Sequence, residues 1–221
     1  MTIKPIETEY AGHRFRSRLE ARWAVFFDTL GVEWQYEAEG YEIDGRRYLP
    51  DFLLPKQRAF VEVKGDPEQL DPRLLAALAS DAGHHVLMLG PIPDVLPGAV
   101  PMHSMFVPVW DYRLTSAPPK LVGDASAAIE KLEDPADRKT VWDFIKHESR
   151  RAGGTVVCQS FFFVPSKDGF WPMAVGPSNM FTSSAEILAP APLCRIAAKP
   201  AIEAAYDAAR KARFEHGEKP A

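Results

Sequence analysis

Two short apolar runs joined by one turn constrain this chain more than any other feature: Leu49-Pro50-Asp51-Phe52-Leu53-Leu54, then Ala59-Phe60-Val61-Glu62-Val63-Lys64-Gly65. As the strands of a hairpin they have apolar side chains to bury, yet they carry three charges for which a hydrophobic sheet has no structural use. Strand side chains alternate between faces. Glu62 and Lys64 therefore share one face, preceded there by Phe60, while Val61 and Val63 point into a core on the other. Asp51 lies in the preceding strand, where direct opposition would bring its Cβ to roughly 5 Å from that of Glu62. Two carboxylates and an ammonium converging at a sheet edge suit a hard divalent cation and a water. The chemistry of the chain is expected here.

Each of these residues also has a plainer explanation. Pro-Asp can begin a turn, and an edge-strand aspartate can simply be solvated. An acid and a base two residues apart can pair across an exposed strand face. Their occurrence together, among Leu49, Phe52, Leu53, Leu54, Phe60, Val61 and Val63, argues for a site. Upstream, Leu19, Trp23, Phe26, Phe27 and Leu30 recur at helical spacing over Ser17–Leu30, and Gly31 stands where a helix ends. Glu20 shares the face of Ala24 and Phe27, and a carboxylate turned toward a core needs a partner such as a metal or the Lys64 ammonium. Ser17-x-x-Glu20 equally spells a capping box, in which Glu20 satisfies a free helix amide.

The pair Pro50-Asp51 with Glu62-x-Lys64, preceded by the helix carrying Glu20 (Phe15-Arg16-Ser17-Arg18-Leu19-Glu20-Ala21-Arg22-Trp23-Ala24), resembles the PD-(D/E)XK nuclease superfamily. The likeness covers residues 1–90 and is to members with a helix glutamate, among them Holliday-junction resolvases and transposon endonuclease subunits. It implies an α/β, restriction-endonuclease-like core: helix, three strands, helix, strand, as a mixed sheet flanked by helices. It also implies a metal-dependent endonuclease that hydrolyses phosphodiester bonds, with DNA the expected substrate, in a phage or mobile-element setting. Asp51 and Glu62 would hold Mg²⁺ or Mn²⁺ together with the Val63 carbonyl oxygen, Glu20 would complete the shell or position Lys64, and Lys64 would act on the attacking water. A Gln-x-x-x-Tyr pattern, found in the superfamily's helicase-associated exonucleases, is missing, because Gln69 is followed four residues on by Arg73. The competing function is a catalytically silent nucleic-acid-binding or complex-assembly protein on the same scaffold.

Other residues narrow the choice. No Gly-rich phosphate loop or Gly-x-Ser-x-Gly elbow is present, and the histidines lack zinc spacing. A net charge of −4 argues against a protein that coats nucleic acid non-specifically. A local basic surface is expected instead from Arg14, Arg16, Arg18 and Arg22, beside His13, and from Arg46 and Arg47; a solvated helix face is the bland alternative. Cys158 and Cys194 make no metal pair or disulfide framework, and no apolar run is long enough for a membrane span, so a cytoplasmic protein is expected.

Strands are expected at Val32–Tyr36, Tyr41–Ile43, Arg46–Leu54 and Ala59–Lys64, with a turn at Asp44-Gly45. A helix follows over Pro72–Ala82, stopped by Gly83, then a strand at His85–Leu89. Residues 91–119 read as a proline-rich connector in which Phe106–Tyr112 could pair at an edge. Residues 120–221 read as an α+β extension. It would hold helices near Ala125–Leu132 and Pro135–Arg151 (Asp134 as N-cap), strands Thr155–Val164 and Gly169–Val175, and a closing helix Pro200–Phe214. A homodimer, or a partner protein in a phage or mobile-element complex, is the expected assembly. Phe161, Phe162, Phe163 and Trp171 are either its contact surface or ordinary core.

Overall fold

Ser17 starts helix α1 (Arg18–Thr29) by staying extended (φ −144°, ψ 155°) while its Oγ accepts the Glu20 N–H at 3.2 Å. Gly31, in the left-handed region at φ 66°, turns the chain away after Leu30. Between these caps Trp23, Phe26 and Phe27 are fully buried. The computed structural model describes residues 6–43, 45–96, 99–108, 156–179 and 199–214.

A short hairpin not foreseen in the sequence precedes α1: β1 (Thr8–Tyr10) and β2 (His13–Phe15), turned by Ala11 and Gly12, both at positive φ. After α1 come β3 (Gln35–Tyr36), β4 (Tyr41–Ile43), β5 (Arg46–Tyr48), β6 (Phe52–Leu54) and β7 (Ala59–Val63). Helix α2 (Pro72–Ala82) and β8 (His85–Leu89) follow, then β9 (His103–Pro108), β10 (Val156–Ser166), β11 (Gly169–Asn179) and α3 (Pro200–Lys211). Seven strands form one mixed sheet in the order β11-β10-β9-β8-β7-β6-β3. All its neighbours are antiparallel except β7 and β8, which α2 connects as a parallel crossover. The molecule is thus α/β with a mixed sheet between helices.

The single strand expected over Arg46–Leu54 is two. Pro50 has no N–H to give a ladder, so the chain leaves the separate β4–β5 hairpin and re-enters the main sheet at Phe52. Strand β9 also differs from expectation. It begins at His103 rather than Phe106, and it sits inside the sheet between β8 and β10, with Met105, Phe106 and Val107 all buried. The boundary expected after residue 90 therefore falls between two adjacent strands of one sheet. The expected helices at 125–132 and 135–151 lie outside the described residues.

Both sheet faces are covered. Val61, Val63, Leu87, Met105, Phe161 and Phe163 pack with α1 and with Ile202 and Tyr206 of α3. Phe60, Val86, Met88 and Phe106 pack with Leu74, Leu75 and Leu78 of α2 and with Ile43 of the hairpin. Phe161, Phe162 and Phe163, one reading of which was a dimer surface, are buried within this one chain, and only Trp171 of that group is exposed. Gly169, at φ 100°, closes the β10–β11 turn so tightly against the loop after α1 that an added Cβ would strike Val32 Cγ2. Gln57 Nε2 donates to the Asp168 carbonyl at 2.8 Å and ties that turn to the β6–β7 connection. No helix among the described residues is long and apolar enough to cross a membrane.

Candidate active site

The β6–β7 register sets the geometry. Phe52 pairs with Val61 and Leu53 with Phe60, so Asp51, one step before β6, is level with Glu62. Its Oδ2 accepts the Val63 N–H at 2.7 Å, a side chain taking over where the ladder stops. Lys64 is the first residue past β7, and its own N–H still bonds the Leu89 carbonyl at 3.0 Å, which fixes where its side chain begins. The ammonium Nζ lies 2.5 Å from Glu62 Oε1, 3.3 Å from the Val63 carbonyl oxygen and 3.6 Å from Asp51 Oδ2. The three oxygens expected to hold a divalent ion thus surround a cation that the chain itself provides.

The site does not lie on an exposed sheet face. Asp51 is 2% exposed and Glu62 5%, because α2 and the β4–β5 hairpin roof the side of the sheet that carries Phe60 and Glu62. Burial first, and the Glu62 charge second, push the Asp51 carboxyl up to about 7, against the pull of Lys64 and the Val63 amide. Burial works to lower the Lys64 pKa, but the Asp51 and Glu62 charges outweigh it and the ammonium is held above its ordinary value. Two buried carboxylates beside one ammonium leave the site short of positive charge.

Two tyrosines complete the polar shell, and neither was singled out from the sequence. Tyr48, at the end of β5, donates its hydroxyl to Glu62 Oε2. Burial and then the Glu62 charge raise its pKa, so the phenol keeps its proton. Tyr36, packed on Phe15 and Phe52, donates to Glu20 Oε2 at 2.7 Å. An aromatic next to a strand end hints at such a role, but the partner depends on how the hairpin folds over, which no local spacing encodes.

Glu20 is buried as well, with a different environment. Its Oε1 accepts from Ser17 Oγ at 2.7 Å, and its Oε2 accepts from Tyr36 and from the Arg16 N–H at 3.1 Å. Of the expected capping box only the Ser17 half forms, the Glu20 N–H donating to Ser17 Oγ, while the Glu20 carboxylate takes the amide of Arg16, one residue before the cap. Its charge is nonetheless close enough to act on both Asp51 and Lys64. Among the described residues, no three acidic, histidine or cysteine side chains converge as a metal cluster. The donors around the ammonium are two carboxylates and a backbone carbonyl, an all-oxygen set of the hardness that Mg²⁺ and Mn²⁺ take.

The six arginines expected to meet nucleic acid do not form one patch of unpaired cations. Arg14 pairs with Glu7, Arg16 with Glu37, and Arg46 with Asp71 at 2.7 Å. Arg18 and Arg22 are half-buried along α1. Arg47 is exposed and lines an open groove of about 490 Å³ with Tyr41, Glu42 and Tyr48, the last of which reaches Glu62 through its hydroxyl. Arg16 is near enough to the site to respond to Asp51. Its partner Glu37 sits at φ 46°, an unfavoured conformation for a glutamate, and donates its N–H to the Asp51 carbonyl at 3.0 Å. No family model, curated protein or solved structure matches this chain.

Proposed function

We propose that this protein is a divalent-metal-dependent endonuclease of the PD-(D/E)XK type, hydrolysing phosphodiester bonds in DNA. The observation that carries the proposal is the Lys64 ammonium set among Glu62 Oε1, the Val63 carbonyl and Asp51 Oδ2, a cation already resting on an oxygen donor set suited to a hard metal. The order α1, antiparallel β3–β6–β7, α2 and parallel β8 supports a restriction-endonuclease-like core.

Asp51, Glu62 and the Val63 carbonyl would hold Mg²⁺ or Mn²⁺, which when bound neutralises phosphate charge and acidifies a water. Tyr48 keeps Glu62 oriented by holding the oxygen that faces away from Lys64. The Lys64 ammonium orients the attacking water and stabilises charge on the phosphate. Glu20 acts through Arg16 and Tyr36 as a positioning residue at the rim. Arg16 and Arg47 are the arginines best placed for the phosphates on either side. The family chemistry leaves a 5′-phosphate and a 3′-hydroxyl. Cutting both strands of a duplex requires two such sites, which a two-fold homodimer would supply.

A silent scaffold is the second reading, favoured by the same ammonium, since a site neutralised from within can be stable without turnover. Supercoiled plasmid in Mg²⁺ or Mn²⁺ separates the two. Nicking that EDTA and Lys64→Ala each abolish is expected; intact plasmid in both metals, across branched and single-stranded substrates as well, would leave the silent scaffold.

A further inference from the structure

We propose that Lys64 is the resident counter-cation of the site and that a divalent metal enters by displacing its ammonium, which then moves out toward the substrate phosphate. This rests on the metal-nuclease reading above and deepens it.

Three oxygens of the acidic pair have named partners. Glu62 gives Oε2 to the Tyr48 hydroxyl and Oε1 to the ammonium. Asp51 Oδ2 is shared between the Val63 N–H at 2.7 Å and the ammonium at 3.6 Å. The Val63 carbonyl also faces Nζ, at 3.3 Å. A hard cation about 2.1 Å from each of these oxygens needs the volume that Nζ fills, because Nζ itself lies among Glu62 Oε1, the Val63 carbonyl and Asp51 Oδ2. Like charges that close in a buried setting also repel strongly. Exchange is therefore the arrangement the geometry allows, rather than addition.

The lysine is built to leave. Its side chain is 24% exposed, against 3% and 6% for those of Asp51 and Glu62, so the ammonium is the member of the cluster with a path to solvent. Its four-carbon stem is flexible, and its backbone is anchored by the Leu89 carbonyl, so the head group can swing without moving β7. Before metal arrives, the ammonium compensates two buried carboxylates that would otherwise destabilise the fold. After exchange, the same charge stands at the mouth of the site, where a phosphate must approach.

The test is Mn²⁺ titration by calorimetry without nucleic acid, on the wild type and on Lys64→Met, which keeps the stem and removes the charge. The variant is expected to bind Mn²⁺ at least about tenfold more tightly, since it has no ammonium to expel from the buried oxygens. Equal or weaker binding by the variant, with the wild type binding normally, would show that metal and ammonium coexist; that overturns the exchange and leaves the nuclease reading standing. Absence of binding by both proteins removes both. A second measurement needs only the wild type, should the variant fail to fold. Pulse acetylation of Lys64, read by peptide mass spectrometry, is expected to speed up several-fold when saturating Mn²⁺ is added, and an unchanged or slower rate argues against displacement.

Discussion

Two acidic sites lie close together in this molecule, and they are satisfied in opposite ways. Glu20, on α1, receives three hydrogen bonds from neutral donors: a serine hydroxyl, a tyrosine hydroxyl and a backbone amide. Asp51 and Glu62, on the sheet, share one ammonium, one amide and one phenol, and burial beside Glu62 pushes the Asp51 carboxyl up to about 7. A carboxylate held by neutral dipoles is a finished structural unit. A buried pair with less than one positive charge each still favours an added cation. Burial alone does not separate the two, since all three carboxylates are almost fully enclosed. The kind of donor does.

The largest effects should come from breaking the acidic pair's balance. Lys64→Ala strands two buried carboxylates and is expected to destabilise the metal-free protein by about 3 kcal/mol at pH 8, as for other broken buried pairs. It should also abolish nicking, as should Asp51→Asn and Glu62→Gln, with losses of about a thousandfold or more. Denaturant melts beside plasmid assays measure both. Full activity in all three variants would move the chemistry elsewhere.

A pH series sharpens the contrast next. Asp51 titrates near 7 in the folded protein and about 3.9 unfolded, so the native state binds that proton more tightly. Its contribution favours folding fully below about pH 4 and is lost as pH rises through 7. Metal-free wild type should therefore lose stability across that window relative to Asp51→Asn, in which this slope is absent. Parallel curves for the two proteins would mean that Asp51 is not held protonated by its surroundings.

Substitutions at Glu20 and the tyrosines should have smaller effects of different kinds. Glu20→Gln keeps one acceptor oxygen but places an NH₂ against donors, which should cost about 1–2 kcal/mol of stability and leave nicking within about tenfold. Tyr36→Phe should behave alike. Tyr48→Phe should reduce activity more than stability, because it frees the oxygen that aims Glu62. A loss of activity in Glu20→Gln as deep as that of Asp51→Asn, with an unchanged melting temperature, would erase the distinction and put Glu20 in the reacting layer.

How far these features were readable from sequence follows from how local they are. Helix α2 matches the expected Pro72–Ala82, because Asp71, Pro72 and Gly83 mark its ends by short-range chemistry. Strand β8 matches as well, and the Ser17 and Gly31 signals place α1 to within a residue. The level pairing of Asp51 with Glu62 follows from hairpin counting. The roof over that pair does not, because it is made by α2 and by a hairpin that Pro50 turns out of the main sheet. Strand β9 was obscured by its flanking prolines, and its place in the sheet depends on partners far along the chain. Tyr48 and Tyr36 were missed for the same reason: each finds its carboxylate only after folding.

The smallest expected effect concerns the arginines and extends the same comparison to the rim. Arg14 is tied to Glu7 and Arg46 to Asp71, whereas Arg16 is tied to Glu37, whose backbone is bonded to Asp51 itself. On the nuclease reading, a phosphate at the site can take the Arg16 guanidinium from Glu37, since an exposed ion pair of this kind is worth about 1 kcal/mol or less. Every duplex phosphate that a cation neutralises steepens the fall of log affinity with log salt by about 0.9. Arg16→Ala should therefore reduce that slope by about one, with Ca²⁺ in place of Mg²⁺ to block cleavage, while Arg14→Ala and Arg46→Ala leave it unchanged. Equal slopes for all three variants would detach Arg16 from the site and leave the groove beside Arg47 to guide the strand.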